Sequence, residues 1–94
     1  MPRQVSASHI LVRTEQEAKA LSARIASGED FGELASKHSN CPSGRNHGDL
    51  GWFRKGMMVP EFEKAAFGAK RGEVVGPVRT QFGYHLIRVN DLKD

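Results

Sequence analysis

Residues 5–13 read Val5-Ser6-Ala7-Ser8-His9-Ile10-Leu11-Val12-Arg13. The stretch is β-prone and ends in an apolar run, so it predicts a strand. Alternation puts His9 and Leu11 on one face and Ile10 and Val12 on the other. Near the other end, Tyr84 to Val89 predicts a second strongly apolar strand, with His85, Ile87 and Val89 sharing a face. A histidine thus sits inside each of the two best strand candidates.

Between them the pattern changes to helix. Thr14 has the character of an N-cap, with Glu17 three residues on to complete a capping box. Ala18, Leu21 and Ile25 follow at helical spacing and Gly28 is a stop signal. A second helix starts at Asp30, again with a glutamate, Glu33, three positions later. It turns Phe31, Leu34 and Ala35 inward and runs out near His38. From Asn40 to Gly51 the chain is loop-forming, with Pro42, Ser43, Gly44, Asn46, Gly48, Asp49 and Gly51. Trp52 and Phe53 predict a very short strand, ended by Gly56. Pro60 suits a first helical turn, and Phe62, Ala65 and Ala66 give that helix a short apolar stripe up to Gly68. Residues 73–79 predict a strand interrupted at Gly76-Pro77, hence at an edge or bulge. This order of elements predicts a single α+β domain over residues 1–94, with a mostly antiparallel sheet covered by helices.

The bulk numbers agree with a globule. The 94 residues are 38% hydrophobic and 27% charged, and no apolar run approaches the roughly 20 residues of a membrane helix. One cysteine, Cys41, excludes an internal disulfide. The opening Met-Pro-Arg-Gln-Val-Ser-Ala has no long apolar core and is not expected to be a secretory signal. These features favour a cytoplasmic location. The net charge of +3 makes acidic or nucleic-acid partners conceivable, but Lys and Arg are spread from Arg3 to Lys93 without a dense run. Nucleic-acid binding is accordingly not expected.

His9, Cys41 and His85 are the residues with chemical potential. Singly, each has an ordinary explanation: strand histidines are commonly hydrogen-bonded structural residues, and a lone cysteine is commonly a small buried hydrophobe. Together they suggest either a thiol hydrolase or a zinc site. The hydrolase needs a depressed thiol pKa and an oxyanion hole. The zinc site lacks a closely spaced ligand pair.

A run of blocks in fixed order extends these residues over nearly the whole chain. Ser8-His9-Ile10-Leu11-Val12 opens it. Asp30-Phe31-Gly32-Glu33-Leu34-Ala35 and Ser39-Asn40-Cys41-Pro42-Ser43 follow. Then come Gly48-Asp49-Leu50-Gly51-Trp52-Phe53 and Gly56-Met57-Met58-Val59-Pro60-Glu61-Phe62. Gly72-Glu73-Val74-Val75-Gly76-Pro77-Val78 and Thr80-Gln81-Phe82-Gly83-Tyr84-His85-Leu86-Ile87 close it. From about Ala7 to Val89 this succession resembles the parvulin family of peptidyl-prolyl cis/trans isomerases.

The resemblance implies a four-stranded antiparallel sheet with four helices around it, the fourth a short turn within residues 41–48. It implies that His9 and His85 meet on neighbouring central strands near Cys41, and that Thr80 joins this cluster through hydrogen bonds. Met58 and Phe62, with Leu50 and Phe53, are expected to form the pocket for a substrate proline ring, and Phe82 to border the site.

Rotation about an Xaa-Pro bond crosses a barrier of about 18–20 kcal/mol but breaks no bond. Neither nucleophile, metal nor cofactor is required, only tighter binding of the twisted amide than of either planar isomer. The expected partners are proline-containing peptides and unfolded chains, met by a monomer. Some parvulins carry a basic insert between first strand and first helix that selects phosphorylated substrates. Here Arg13-Thr14-Glu15-Gln16-Glu17 joins the two directly, so phosphate selection is not expected. Arg54 and Lys55 lie near the presumed pocket and are read as solvated. A non-catalytic peptide-binding or chaperone module on the same fold is the competing reading.

Overall fold

Two partners hold β1 (Gln4–Val12) along most of its length, which makes it an interior strand of the sheet. The computed structural model of the protein describes residues 3–94. After β1 come α1 (Glu15–Ala26), α2 (Phe31–His38), a 3-10 turn (Pro42–Asn46), β2 (Asp49–Arg54), α3 (Pro60–Gly68), β3 (Val74–Thr80) and β4 (Gly83–Lys93). The four strands are antiparallel in the order β2-β1-β4-β3. The short fourth helix implied within residues 41–48 is this 3-10 turn.

Both helix starts behave as their cap residues require. The Thr14 hydroxyl accepts the Glu17 N–H at 3.1 Å, and the Asp30 carboxylate accepts the Glu33 N–H at 2.9 Å. Pro60 occupies the first turn of α3, where its missing N–H is no loss.

The faces of β1 sort the core as its alternation predicts. Ile10 and Val12, with Leu86 of β4, pack under Ala18 and Leu21 of α1 and Phe31, Leu34 and Ala35 of α2. Val5 and Ala7, with Ile87 and Val89, pack on the other face under Phe53, Phe62, Ala66 and Phe67. Phe67 carries more of that second core than the predicted stripe of Phe62, Ala65 and Ala66 allowed. Full burial of side chains of this size contributes about 1.5–3 kcal/mol each.

Two strands are longer than their hydrophobic pattern suggests. β2 runs from Asp49, through glycines that read as loop, because it pairs with β1 across a bulge. Ala7 faces Gly51 and Ser8 faces Asp49, so Leu50 is the extra residue. β4 continues past Val89 to Lys93, with Asn90 as the extra residue against Ser6 and Ala7. The Asn90 amide donates to the Ser8 hydroxyl at 3.0 Å and so satisfies a buried serine. In β3 the register shifts between Val75 and Val78, on either side of the Gly76-Pro77 interruption.

Candidate active site

His9 leaves β1 on the α3 side of the sheet, and His85 leaves β4 on the same side. Both are interior strands, so the two rings are fixed by backbone pairing on either flank. The rings stack with centroids 5.2 Å apart and planes 17° apart, and their Nδ1 atoms are 3.0 Å from each other. His9 Nε2 lies 3.0 Å from the Ser43 hydroxyl, and His85 Nε2 lies 2.7 Å from the Thr80 hydroxyl. Thr80 Oγ1 also accepts the Phe82 N–H at 3.1 Å. The result is a chain Ser43–His9–His85–Thr80 running across the floor of the site.

A contact between two Nδ1 atoms needs one proton, donated by one ring and accepted by the other. The hydroxyls at the ends then fix the rest: either Ser43 donates into His9, or Thr80 donates into His85. Burial, with a further contribution from the neighbouring His85, lowers the His9 pKa to about 4. Burial lowers that of His85 as well. Both rings are therefore neutral near pH 7, and the floor is polar but uncharged.

Phe62 of α3 closes over this pair. Its ring meets His9 edge-on at 5.5 Å and His85 edge-on at 5.3 Å. Beside it opens a cavity of about 520 Å³. Leu50, Met57, Met58, Val59 and Phe62 line it together with Leu11, Asn40, Cys41, Pro42, Phe82, His9 and His85. Leu50 reaches the cavity as the extra residue of the β2 bulge. The 39–42 segment is stitched to β1: Ser39 Oγ accepts the N–H of Leu11 at 3.1 Å and of Cys41 at 3.3 Å, and the Asn40 N–H donates to the Leu11 carbonyl at 2.7 Å.

Two glycines let the backbone close around the histidines. A Cβ on Gly48 would run into the His9 carbonyl oxygen, and one on Gly76 would stand 2.6 Å from the His85 carbonyl oxygen. Both residues also adopt positive φ, which favours glycine.

The expected site residues meet four different outcomes. His9, His85 and Thr80 are hydrogen-bonded together, and Leu50, Met58, Phe62 and Phe82 border one cavity. Cys41 is half-buried in the cavity wall, but among the described residues its thiol makes no hydrogen bond; Ser43 takes the expected place beside His9. Phe53 is not a pocket residue. It pairs with Val5, further along the sheet than the histidines, and lies buried behind Phe62 at 6.0 Å. Arg54 and Lys55 are not among the cavity residues, and Lys55 stands over the Phe67 ring at 5.8 Å.

Sequence reasoning missed the roles of Ser43, Leu11, Met57 and Val59. A hydroxyl two residues past Cys41 was the available signal for Ser43, but only the 3-10 turn points it at His9. The alternatives lose ground on geometry. All four histidine ring nitrogens are already engaged, which leaves none for a metal. The thiol has no histidine hydrogen-bonded to it that could act as a base.

Comparison with known proteins agrees with this architecture. A family model described as the PPIC-type PPIase (rotamase) domain matches residues 6–91. The foldase protein PrsA of Geobacillus kaustophilus is 53% identical over 88 residues, covering 93% of this chain and 31% of that protein. PrsA of Halalkalibacterium halodurans is 53% identical over 92 residues, covering 97% of this chain and 28% of its own length. The chain thus spans about a third of these curated relatives. The crystal structure of PrsA from Bacillus anthracis is similar at a TM-score of 0.96 and 42% identity, over 99% of this chain and 43% of that one. The solution structure of NmPin, the parvulin of Nitrosopumilus maritimus, is similar at 0.85 and 44% identity, over 95% of this chain and 97% of that one. With a family match across nearly its whole length and a histidine pair set beneath an apolar cavity, the chain belongs to the PPIC-type peptidyl-prolyl cis-trans isomerases, the parvulins.

Proposed function

We propose that the cavity holds the pyrrolidine ring of an Xaa-Pro segment between Met58, Phe62 and Leu50 while the preceding carbonyl turns over the histidine floor. The observation that carries this reading is an apolar cavity laid directly on a buried, neutral histidine pair. Twisting the amide removes its resonance and with it much of its polarity. An apolar wall withdraws the solvation that favours the planar form, and so binds the twisted form better. Each 1.36 kcal/mol of that preference is tenfold in rate.

In this reading His9, His85 and Thr80 are positioning residues that set the field around the carbonyl. Cys41 shapes the wall without attacking, since the rotation needs no covalent step. Met58 suits the ring because its thioether is adaptable, and Phe62 supplies a flat partner.

Substrates are proline-containing peptides and loop or unfolded segments, without selection for phosphate. The direct β1–α1 junction and the uncharged cavity lining support this. Assistance to folding proteins follows, in keeping with relatives named foldase. A monomer in the cytoplasm completes the proposal, the location suggested by the single free cysteine. Light scattering and cell fractionation test these two points.

The central test is NMR exchange on Xaa-Pro peptides with and without the protein. Faster cis/trans exchange that disappears in Met58→Ala supports the reading. A folded protein that binds the peptides and leaves exchange unchanged would instead be a peptide-binding module.

A further inference from the structure

Three of the cavity residues, Met57, Met58 and Val59, lie in the connection between β2 and α3. Burial does little to hold that connection. None of residues 54–60 is buried, and Met57 is 64% exposed. Met58 and Val59 pack only in part against the core that contains Phe62. The start of α3 gives no further support, since its N-cap residue, Val59, has no side-chain capping bond.

Hydrogen bonds supply the rest, and one residue makes two of them. The Glu63 N–H donates to the Val59 carbonyl at 3.0 Å. The Glu63 carboxylate accepts the Gly56 N–H. Glu63 therefore grips the chain on both sides of Met57 and Met58. Two longer bonds close the turn on itself, from the Met57 N–H to the Arg54 carbonyl at 3.3 Å and from the Arg54 N–H to Met57 Sδ at 3.4 Å. Glu63 is fixed in turn by its neighbour Phe62, which is 3% exposed and meets both histidine rings edge-on. The first turns of α3 thus set Phe62 over the histidines and Glu63 on the loop that carries Met58.

A carboxylate that accepts a backbone N–H makes a charge-assisted bond, stronger than a neutral one. Without it the free protein spreads over loop conformations in which Met58 is not set for the ring. Apparent affinity then falls by the fraction of molecules that remain competent. In the bound complex the loop is back in place, so the rotation step itself keeps its rate.

Resting on the proline-capture reading above, we infer that Glu63 is a positioning residue for the isomerisation. Its carboxylate holds Met57, Met58 and Val59 in the binding-competent arrangement through Gly56. Glu63 does not line the cavity, so it acts through this loop rather than on the substrate.

The test compares Glu63→Ala, Glu63→Gln and Glu63→Asp, with Glu61→Gln as a control for charge in the same part of α3. NMR exchange over a range of Ala-Pro peptide concentrations gives KM and kcat, and amide hydrogen exchange reads the Gly56 N–H directly. Glu63→Ala should raise KM by about three- to tenfold while kcat stays within about twofold. Its Gly56 amide should exchange about three- to tenfold faster. Glu63→Gln keeps an acceptor oxygen at the same reach and should restore most of both. Glu63→Asp keeps the charge but is one methylene short, so it should resemble Glu63→Ala. Glu61→Gln should leave KM unchanged. Urea titration checks that each variant is folded.

A Glu63→Ala protein that loses stability but keeps the wild-type KM overturns the proposal, because the residue would then be structural only. Rescue by Asp and not by Gln overturns it as well, since the effect would then come from charge and not from the Gly56 bond. A wild-type protein that accelerates no peptide removes the isomerase reading instead, and the Gly56 exchange rates still show whether the carboxylate holds the loop.

Discussion

Met58 and Phe62 both face the cavity, yet their loss has different consequences. Phe62 is 3% exposed and shares a core with Phe53, Ala66 and Phe67. Phe62→Ala should cost about 3–5 kcal/mol of stability, enough to unfold much of a chain this small. Met58 packs against that core only in part, so Met58→Ala should stay folded. We expect it to lose about 10- to 100-fold in kcat/KM, the equivalent of about 1.5–3 kcal/mol of apolar contact with the ring. Peptide exchange rates beside a thermal melt separate the two effects. Cys41→Ser should keep most activity, because among the described residues the thiol donates and accepts no hydrogen bond. A folded Cys41→Ser protein without turnover would falsify the wall role given to that residue. At this scale the sequence named both histidines and Met58 by type and place. It could not separate Phe53 from Phe62, because both are aromatic, buried and close to the motif, and only the pairing of Phe53 with Val5 puts it behind the pocket.

The elements hold the site through their ends. The 3-10 turn Pro42–Asn46 delivers Ser43 to His9, and it is closed by Gly48, whose N–H donates to the Ser43 carbonyl at 2.8 Å. Gly48 also accepts the His9 N–H at 2.9 Å. Gly48→Ala combines a positive φ with a collision on the His9 carbonyl, so it should destabilise by about 2 kcal/mol or more and lower kcat with it. Gly28 also has a positive φ, but nothing lies within 4 Å of its missing Cβ. Gly28→Ala should therefore show only the milder backbone strain and leave peptide kinetics intact. The same urea titration and exchange assay applied to both variants checks the contrast. Thr14→Ala, which removes the α1 cap, should cost about 1 kcal/mol without changing kcat. Caps of this kind are legible in sequence because they are local. The full length of β2 is not, since Asp49, Gly51 and the bulged Leu50 become strand only by pairing with β1.

For the molecule as a whole, the buried histidines make stability depend on pH in a defined window. The folded His9 has a pKa of about 4, against 6.5 in the unfolded chain. Below 6.5 the unfolded chain takes up a proton that the folded one does not, so stability falls as pH drops from about 6.5 toward 4. At about 1.4 kcal/mol per pKa unit, His9 alone can account for up to about 3 kcal/mol. His85, lowered by burial, acts in the same direction. Glu29 and Asp91 are both held below their ordinary carboxylate values. Their pKa values are held down by the Arg24 hydrogen bond for Glu29, and by the Leu92 N–H and then Arg71 for Asp91. Urea unfolding at pH 7, 6, 5 and 4.5 should show a steady loss, and a His9→Asn protein should show a shallower one. An equal slope in both would mean that other groups bind the protons.

What the sequence by itself determined is what depends on near neighbours and on period. It specified the four strands and three helices, their caps at Thr14 and Asp30, the two faces of β1, and the interruption of β3 at Gly76-Pro77. Through the order of its motifs it also specified the family. Tertiary structure decided everything that joins residues far apart in the chain. His9 and His85 are 76 positions apart, and only the pairing of β1 with β4 sets their Nδ1 atoms 3.0 Å from each other. Ser43 entered the network in place of Cys41, Phe53 withdrew to the core, and Phe82 was left open at the rim. These outcomes depend on register, bulges and turn geometry, where a shift of one residue reverses the face on which a side chain lies.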